Sequence, residues 1–176
     1  MARRPYQPSL LRLLHGLVAL VAAGCWISGL VVYSRFDGRW LRLPFTPPGD
    51  WVDVHGSIGV LLVLAAVPFV AYAFGPGRAR LARAANAAAL AGLILAVASG
   101  LRMDEHAVRA GALQEPAYVM HVGIALLLTL AVLGHLGGVL ARGGWPLARS
   151  MFSPSLKSGD LPTDWPAQLR RFAGRG

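Results

Sequence analysis

The chain has 176 residues, of which 55% are hydrophobic and only 14% are charged, and its mean hydropathy is +0.52. This composition is unusual for a soluble globular domain, so we expect a membrane protein. The net charge is +9 at pH 7. The basic residues are divided among short segments and form no long basic helix, which argues against nucleic-acid binding.

Four apolar runs predict transmembrane helices, since a span needs roughly 20 predominantly apolar residues. The predicted spans are 10–33, 54–74, 82–101 and 117–140. A soluble helical bundle would need a polar stripe on each helix, and segments such as IGVLLVLAAVPFVAYAF have none. The first run is too long for a cleaved signal peptide. We therefore expect an all-α fold, an integral membrane four-helix bundle with up-down-up-down topology, whose transmembrane domain covers residues 10–144.

The distribution of Lys and Arg predicts that both termini, segments 1–9 and 145–176, lie inside. With that orientation the outer loops carry five basic residues: Arg35, Arg39, Arg42, Arg102 and Arg109. The inner segments carry the other twelve: Arg3, Arg4, Arg12, Arg78, Arg80, Arg83, Arg142, Arg149, Lys157, Arg170, Arg171 and Arg175. In the polar tail, WPAQLRRF is predicted to form a short amphipathic helix on the inner surface, where partner docking and contact with anionic lipid both remain open.

Four histidines, His15, His55, His121 and His135, lie inside these apolar runs. An ionisable side chain within a span is costly and indicates a functional site. Because the helices alternate in direction, we expect His15 beside His135 near the inner face and His55 beside His121 near the outer face. His121 and His135, both on the fourth predicted helix, are 14 residues apart. They therefore lie on the same face of the helix, about 21 Å apart along its axis. This arrangement predicts two bis-histidine sites for two b-type haems.

Each histidine has a simpler alternative, a hydrogen bond to a neighbouring helix. Zinc is less well supported, because its structural sites gather four ligands at one place. His106, in an outer connector, is interpreted as a solvated loop residue. Cys25 is the single cysteine, and no CxxCH motif is present, so any haem would be held non-covalently.

Further residues accompany the predicted haem ligands. Arg12 and Arg142 lie within two turns of the inner ligands, where they would pair with haem propionates or serve only as positive-inside anchors. Glycines such as Gly16 and Gly56 would leave room for a flat macrocycle, or would only promote helix packing. No internal repeat is evident.

These motifs together resemble the bacterial cytochrome b561 family, which is related to the cytochrome b subunits of nickel-iron hydrogenases and formate dehydrogenases. LLRLLHGLVAL resembles the family's first helix, HGSIGVLLVL the start of its second, and ASG the end of its third. HVGIALLLTLAVLGH has the family's two fourth-helix histidines at the same spacing, and LARSM its basic ending. The resemblance covers roughly Leu10 to Met151.

The resemblance implies two b-type haems that exchange electrons with membrane quinones. It makes His15 and His135 the inner axial ligands and His55 and His121 the outer ones. Where several family members have another histidine, this chain has Asn86. Its amide is a candidate quinone contact, with an interhelical hydrogen bond as the alternative.

Three functions remain open at this point. The first is a di-haem cytochrome that relays electrons between quinone or quinol and a redox partner, as an electron carrier or a quinol-linked oxidoreductase. The second is a membrane-anchor subunit that passes electrons to a docked iron-sulfur protein, and the third is a haem-free transporter or assembly factor. The short chain favours the first. We expect a multi-pass protein of the bacterial inner membrane, surrounded by lipid, with a homodimer left open.

Overall fold

The computed structural model describes residues 5–173, which form an all-helical structure without strands. The predicted all-α fold class is therefore confirmed. Of the basic residues used to predict orientation, Arg3, Arg4 and Arg175 lie outside the described residues, as does the side chain of Arg171.

The described residues contain six α-helices, of which three are long and apolar enough to cross a membrane, namely α1, α2 and α5. The helices are α1 (Ser9–Phe36), α2 (Trp51–Phe74), α3 (Ala84–Gly100), α4 (Glu105–Arg109), α5 (Pro116–Ser150) and α6 (Trp165–Ala173). The apolar helix α3 has only 17 residues, or about 25 Å of length. It is shorter than the predicted span because a 3₁₀ turn, Arg78–Ala82, occupies the preceding residues.

Helix α5 continues ten residues beyond the predicted end of the fourth span, but it is kinked. Gly144 has φ 58° and ψ −160°, outside the helical region, and Pro146 follows inside the next turn. Glycine adopts a positive φ without the steric cost that a Cβ imposes. The Gly-Gly-Trp-Pro stretch therefore bends the helix where the sequence predicted that it would stop.

The long helices pack as two hairpins, α1 against α2 and α3 against α5. Ser28, near the end of α1, contacts His55, near the start of α2. Ser99, near the end of α3, contacts His121, near the start of α5. The two helices of each hairpin therefore run antiparallel.

An apolar layer fills the middle of the helices. Its buried members come from three helices: Val18, Leu62, Ala65, Ala66 and Leu93. Large apolar side chains at similar positions also point outward, since Leu20, Leu64 and Leu127 are 73%, 66% and 64% exposed. Lipid tails are as apolar as leucine, so a bilayer tolerates such exposure. The pattern of exposure thus agrees with a membrane protein.

The C-terminal segment folds back onto the start of α1 through a buried carboxylate. Asp160 accepts hydrogen bonds from the Ser9 backbone N–H at 2.8 Å and from the Tyr6 hydroxyl. Burial raises the pKa of Asp160, but the hydrogen bonds from Tyr6 and Ser9 outweigh it and leave the pKa below its usual value. Asp160 thereby caps α1, for which Pro8 offers no side-chain cap. Trp165, the first residue of α6, donates to the Ser9 hydroxyl at 2.8 Å.

A second buried carboxylate ties the opposite end of α1 to the start of α5. Asp37 accepts two hydrogen bonds from the Arg39 guanidinium, at 2.6 and 2.8 Å, and one from the Tyr118 hydroxyl at 2.7 Å. The hydrogen bond from Arg39, followed by that from Tyr118, lowers the pKa of Asp37 to about 2 against the effect of its burial. The Asp37 carboxylate therefore remains charged and joins two helices that are distant in sequence.

Candidate functional site

The four intramembrane histidines form two pairs on opposite sides of the apolar layer. The ring centres of His15 and His135 are 6.2 Å apart, with an interplanar angle of 39°. Those of His55 and His121 are 6.1 Å apart, with an angle of 63°. Each pair joins residues of two different helices, and α5 contributes one member to both pairs.

Both separations fit two imidazoles bound to opposite sides of one metal atom. A metal-bound imidazole nitrogen lies about 2 Å from the metal, so ring centres about 6 Å apart leave room for one metal atom between the two rings. Imidazole nitrogens are donors that hold haem iron in proteins. The residues present at each pair therefore fit a bis-histidine haem.

In the His55–His121 pair, a serine accepts a hydrogen bond from each ring. Ser28 Oγ lies 3.0 Å from His55 Nδ1, and it donates its only hydrogen to the backbone carbonyl of Gly24 at 2.8 Å. Ser28 must therefore accept from His55, which assigns the proton to Nδ1. Ser99 lies 2.9 Å from His121 Nδ1 and donates to a backbone carbonyl of its own helix. Both histidines thus keep Nε2 free to bind a metal.

The His15–His135 pair is asymmetric. Asn86 Oδ1 lies 3.0 Å from His135 Nδ1. The Asn86 amide nitrogen donates to the carbonyl of Arg80 at 2.8 Å, which turns its oxygen toward the histidine. His15 Nδ1 is buried and has no hydrogen-bond partner among the described residues, while the Phe69 ring packs edge-on at 6.0 Å. Asn86 thus makes the interhelical hydrogen bond that was the alternative to quinone contact.

The glycines near the histidines fall into two groups. A Cβ added at Gly16 or Gly56 would meet nothing within 4 Å, so these glycines do not serve tight helix packing. A Cβ added at Gly29 would lie 3.0 Å from His55 Cε1, and one at Gly100 would lie 3.2 Å from His121 Cε1. The second group therefore makes room for the histidine rings themselves.

The two predicted propionate partners differ in their surroundings. Arg12 is 7% exposed and donates to the backbone carbonyls of Ser153 and Ser155, the latter at 2.7 Å, so it holds the C-terminal segment. Arg142 is exposed and lies back along α5 toward His135, with Nη1 2.9 Å from the position of a Cβ at Gly138. The guanidinium of Arg12 is therefore occupied by backbone carbonyls, whereas that of Arg142 is more accessible to a propionate.

The role of Ser28 and Ser99 as hydrogen-bond partners was missed by sequence reasoning, although Ser99 lies in the ASG motif and an internal repeat marks both positions. Ser-Gly-Leu occurs at 28–30 and again at 99–101, with His15 and Asn86 each 13 residues earlier. In the partner helices, Phe69 follows His55 by 14 residues, as His135 follows His121. The contacts repeat as well, since position 15 packs against 69 and position 86 bonds to 135. The expectation of no internal repeat was therefore wrong.

Comparison with known proteins agrees with these features. A family profile described as prokaryotic cytochrome b561 matches residues 6–154, which confirms the resemblance found in the sequence. No curated protein and no solved structure matches the chain. The family implies b-type haem binding and electron transfer in a membrane. The chain therefore belongs to the prokaryotic cytochrome b561 family.

Proposed function

We propose that the protein is a di-haem b-type membrane cytochrome that relays electrons between the quinone pool and a redox partner. The observation that carries the proposal is the presence of two histidine pairs, with ring centres 6.2 and 6.1 Å apart, on opposite sides of an apolar layer. A haem held by two imidazoles supplies one-electron redox chemistry without an open position for oxygen.

The residues have distinct roles in this proposal. His15 and His135 would hold one haem toward the inner face, and His55 and His121 would hold another toward the outer face. Apolar helices exclude water from both pairs and lower the local dielectric constant. Arg142 is the favoured partner for a propionate of the inner haem, because it reaches toward His135 and has no hydrogen-bond partner among the described residues. Arg12 would have to release the C-terminal segment to take that role.

The proposed setting is the bacterial inner membrane, with four helices, α1, α2, α3 and α5, crossing in up-down-up-down order and both termini inside. The 12-to-5 division of basic residues supports this orientation. The antiparallel contacts within each hairpin are consistent with it. Helix α3 would span a locally thinner region or be extended by the 3₁₀ turn before it.

A membrane-anchor subunit is the second candidate function. It is favoured by the C-terminal segment, which packs on the start of α1 through Asp160 and Arg12 and forms a surface at that end of the helices. A docked iron-sulfur protein would use such a surface. Purification with a stoichiometric iron-sulfur partner would favour the anchor, whereas quinol oxidation by the isolated chain would favour the stand-alone cytochrome.

The central test is the reduced-minus-oxidised visible spectrum of the purified protein, with haem counted per polypeptide. We expect two haems in the wild type and one in each of His135→Ala and His121→Ala. His106→Ala is the matched control, because its side chain is 85% exposed in a connector, and it should keep both haems. A wild-type protein without haem would refute the proposal and leave a transporter or assembly factor as the alternative.

A further inference from the structure

The His55–His121 pair is held by two copies of one local arrangement, the Ser-Gly pairs Ser28–Gly29 and Ser99–Gly100. We infer that these pairs are positioning elements that set the tautomer and the aim of His55 and His121 and so tune the haem bound there. The inference rests on the proposed function, because it concerns the ligands of the outer haem.

The serine hydroxyls act as acceptors that water cannot replace. Ser28 is 1% exposed and Ser99 is 2% exposed. Each donates its hydrogen to a carbonyl of its own helix, so its oxygen can only accept from the ring. A ligand histidine whose second nitrogen donates to a fixed acceptor keeps one tautomer and gains basicity at the metal-binding nitrogen.

The glycines restrict the position of the same rings from the side. A Cβ at Gly29 would lie 3.0 Å from His55 Cε1, the atom between the two ring nitrogens. A methyl group at that position would press on Cε1 and shift the rigid ring, and both ring nitrogens would move with it. The corresponding Cβ at Gly100 would be slightly farther from His121 Cε1, at 3.2 Å. Of two adjacent residues, the serine therefore accepts a hydrogen bond from the ring and the glycine leaves space for it.

The other histidine pair lacks this arrangement. Position 86 in the repeat is asparagine, which bonds to His135 directly, and His15 Nδ1 has no partner among the described residues. The two sites should therefore respond differently to loss of the serines. That difference separates positioning of the outer ligands from a general effect on helix packing.

The test compares Ser28→Ala, Ser99→Ala and Gly29→Ala with two matched controls. Thr129→Val removes a hydroxyl with the same bonding pattern as the serines. It accepts a hydrogen bond from the Trp26 ring N–H and donates to a backbone carbonyl of its own helix. Gly24→Ala adds a methyl one turn from Ser28, where the nearest atom would be at an ordinary 3.5 Å. The readouts are haem affinity, the midpoint potential of each haem and the electron paramagnetic resonance signal of the ferric protein.

We expect the serine variants to weaken binding of the outer haem about 10- to 100-fold. They should also raise its midpoint potential, because a less basic imidazole stabilises the ferric state less. Gly29→Ala should weaken the same haem, and both controls should match the wild type. Unchanged outer-haem signals in the serine variants, or equal losses at both haems, would overturn the inference. A wild-type protein that binds no haem would overturn the proposed function, and the inference with it.

Discussion

Replacement of Asn86 by alanine tests whether α3 positions His135, which lies on α5. Asn86 Oδ1 is the acceptor for His135 Nδ1, at 3.0 Å, and its amide is oriented by the carbonyl of Arg80. Asn86→Ala removes the acceptor and leaves a half-buried N–H without a partner. Such a loss costs about 1–3 kcal/mol, which corresponds to a factor of about 5 to 150 in affinity.

The measurement is the rate of haem transfer from the detergent-solubilised protein to an excess of a haem-scavenging apoprotein. In the His121→Ala background only the inner pair, His15 and His135, remains to bind haem, so one site is followed. We expect Asn86→Ala to accelerate haem loss from that site by about 10- to 100-fold. When Asn86→Ala is made in the wild-type chain, the haem proposed at His55 and His121 would serve as the internal control and should be released at its normal rate.

The same variant distinguishes positioning from quinone contact. If Asn86 instead binds a quinone carbonyl, Asn86→Ala would raise the KM for quinone while haem release and the midpoint potential of the inner haem stay unchanged. That result would refute the positioning argument. Thr129→Val, which loses a different interhelical hydrogen bond, shows how much of any change comes from helix packing alone.

Two further predictions concern the buried carboxylates at the ends of α1. Asp160→Ala should release the C-terminal segment from α1, so that trypsin cuts faster after Lys157, a side chain that is already exposed. It should also lower the free energy of unfolding by about 1–3 kcal/mol, because the Ser9 N–H loses its acceptor. Asp164 bonds only within its own turn, so Asp164→Ala should do neither, and equal digestion of both variants would contradict the role of Asp160. The pKa of Asp37 is lowered to about 2, so its stabilisation of roughly 2 kcal/mol is present above its unfolded pKa and is lost as the pH falls through about 2. The unfolding temperature of the wild type should therefore fall more steeply between about pH 4 and pH 2 than that of Asp37→Asn, whereas parallel curves would exclude this role.

Much of the architecture follows from the sequence because it depends on local periodicity. Apolar runs predict helices that lipid can solvate, and the helix bounds differ from the predicted spans mainly where special backbone residues intervene, as at Gly144 and the turn Arg78–Ala82. The spacing of His121 and His135 follows from helix geometry alone. Helices that alternate in direction then determine which histidine faces which, so the sequence also predicts the pairing of residues 15 with 135 and 55 with 121.

The partners of these residues depend on tertiary structure. Ser28 lies 27 residues before the histidine it contacts, and nothing in an apolar helix distinguishes an accepting hydroxyl from one that bonds only to its own backbone. Arg12 illustrates the same limit, because its nearness to His15 in sequence predicted a propionate partner, whereas the C-terminal segment, 141 residues away, supplies the carbonyl it binds. Sequence periodicity thus determined the helices and the depth of each histidine. The tertiary structure determined which acceptor each buried donor bonds to. Polar groups buried among apolar helices form hydrogen bonds with the partners that helix packing places within reach.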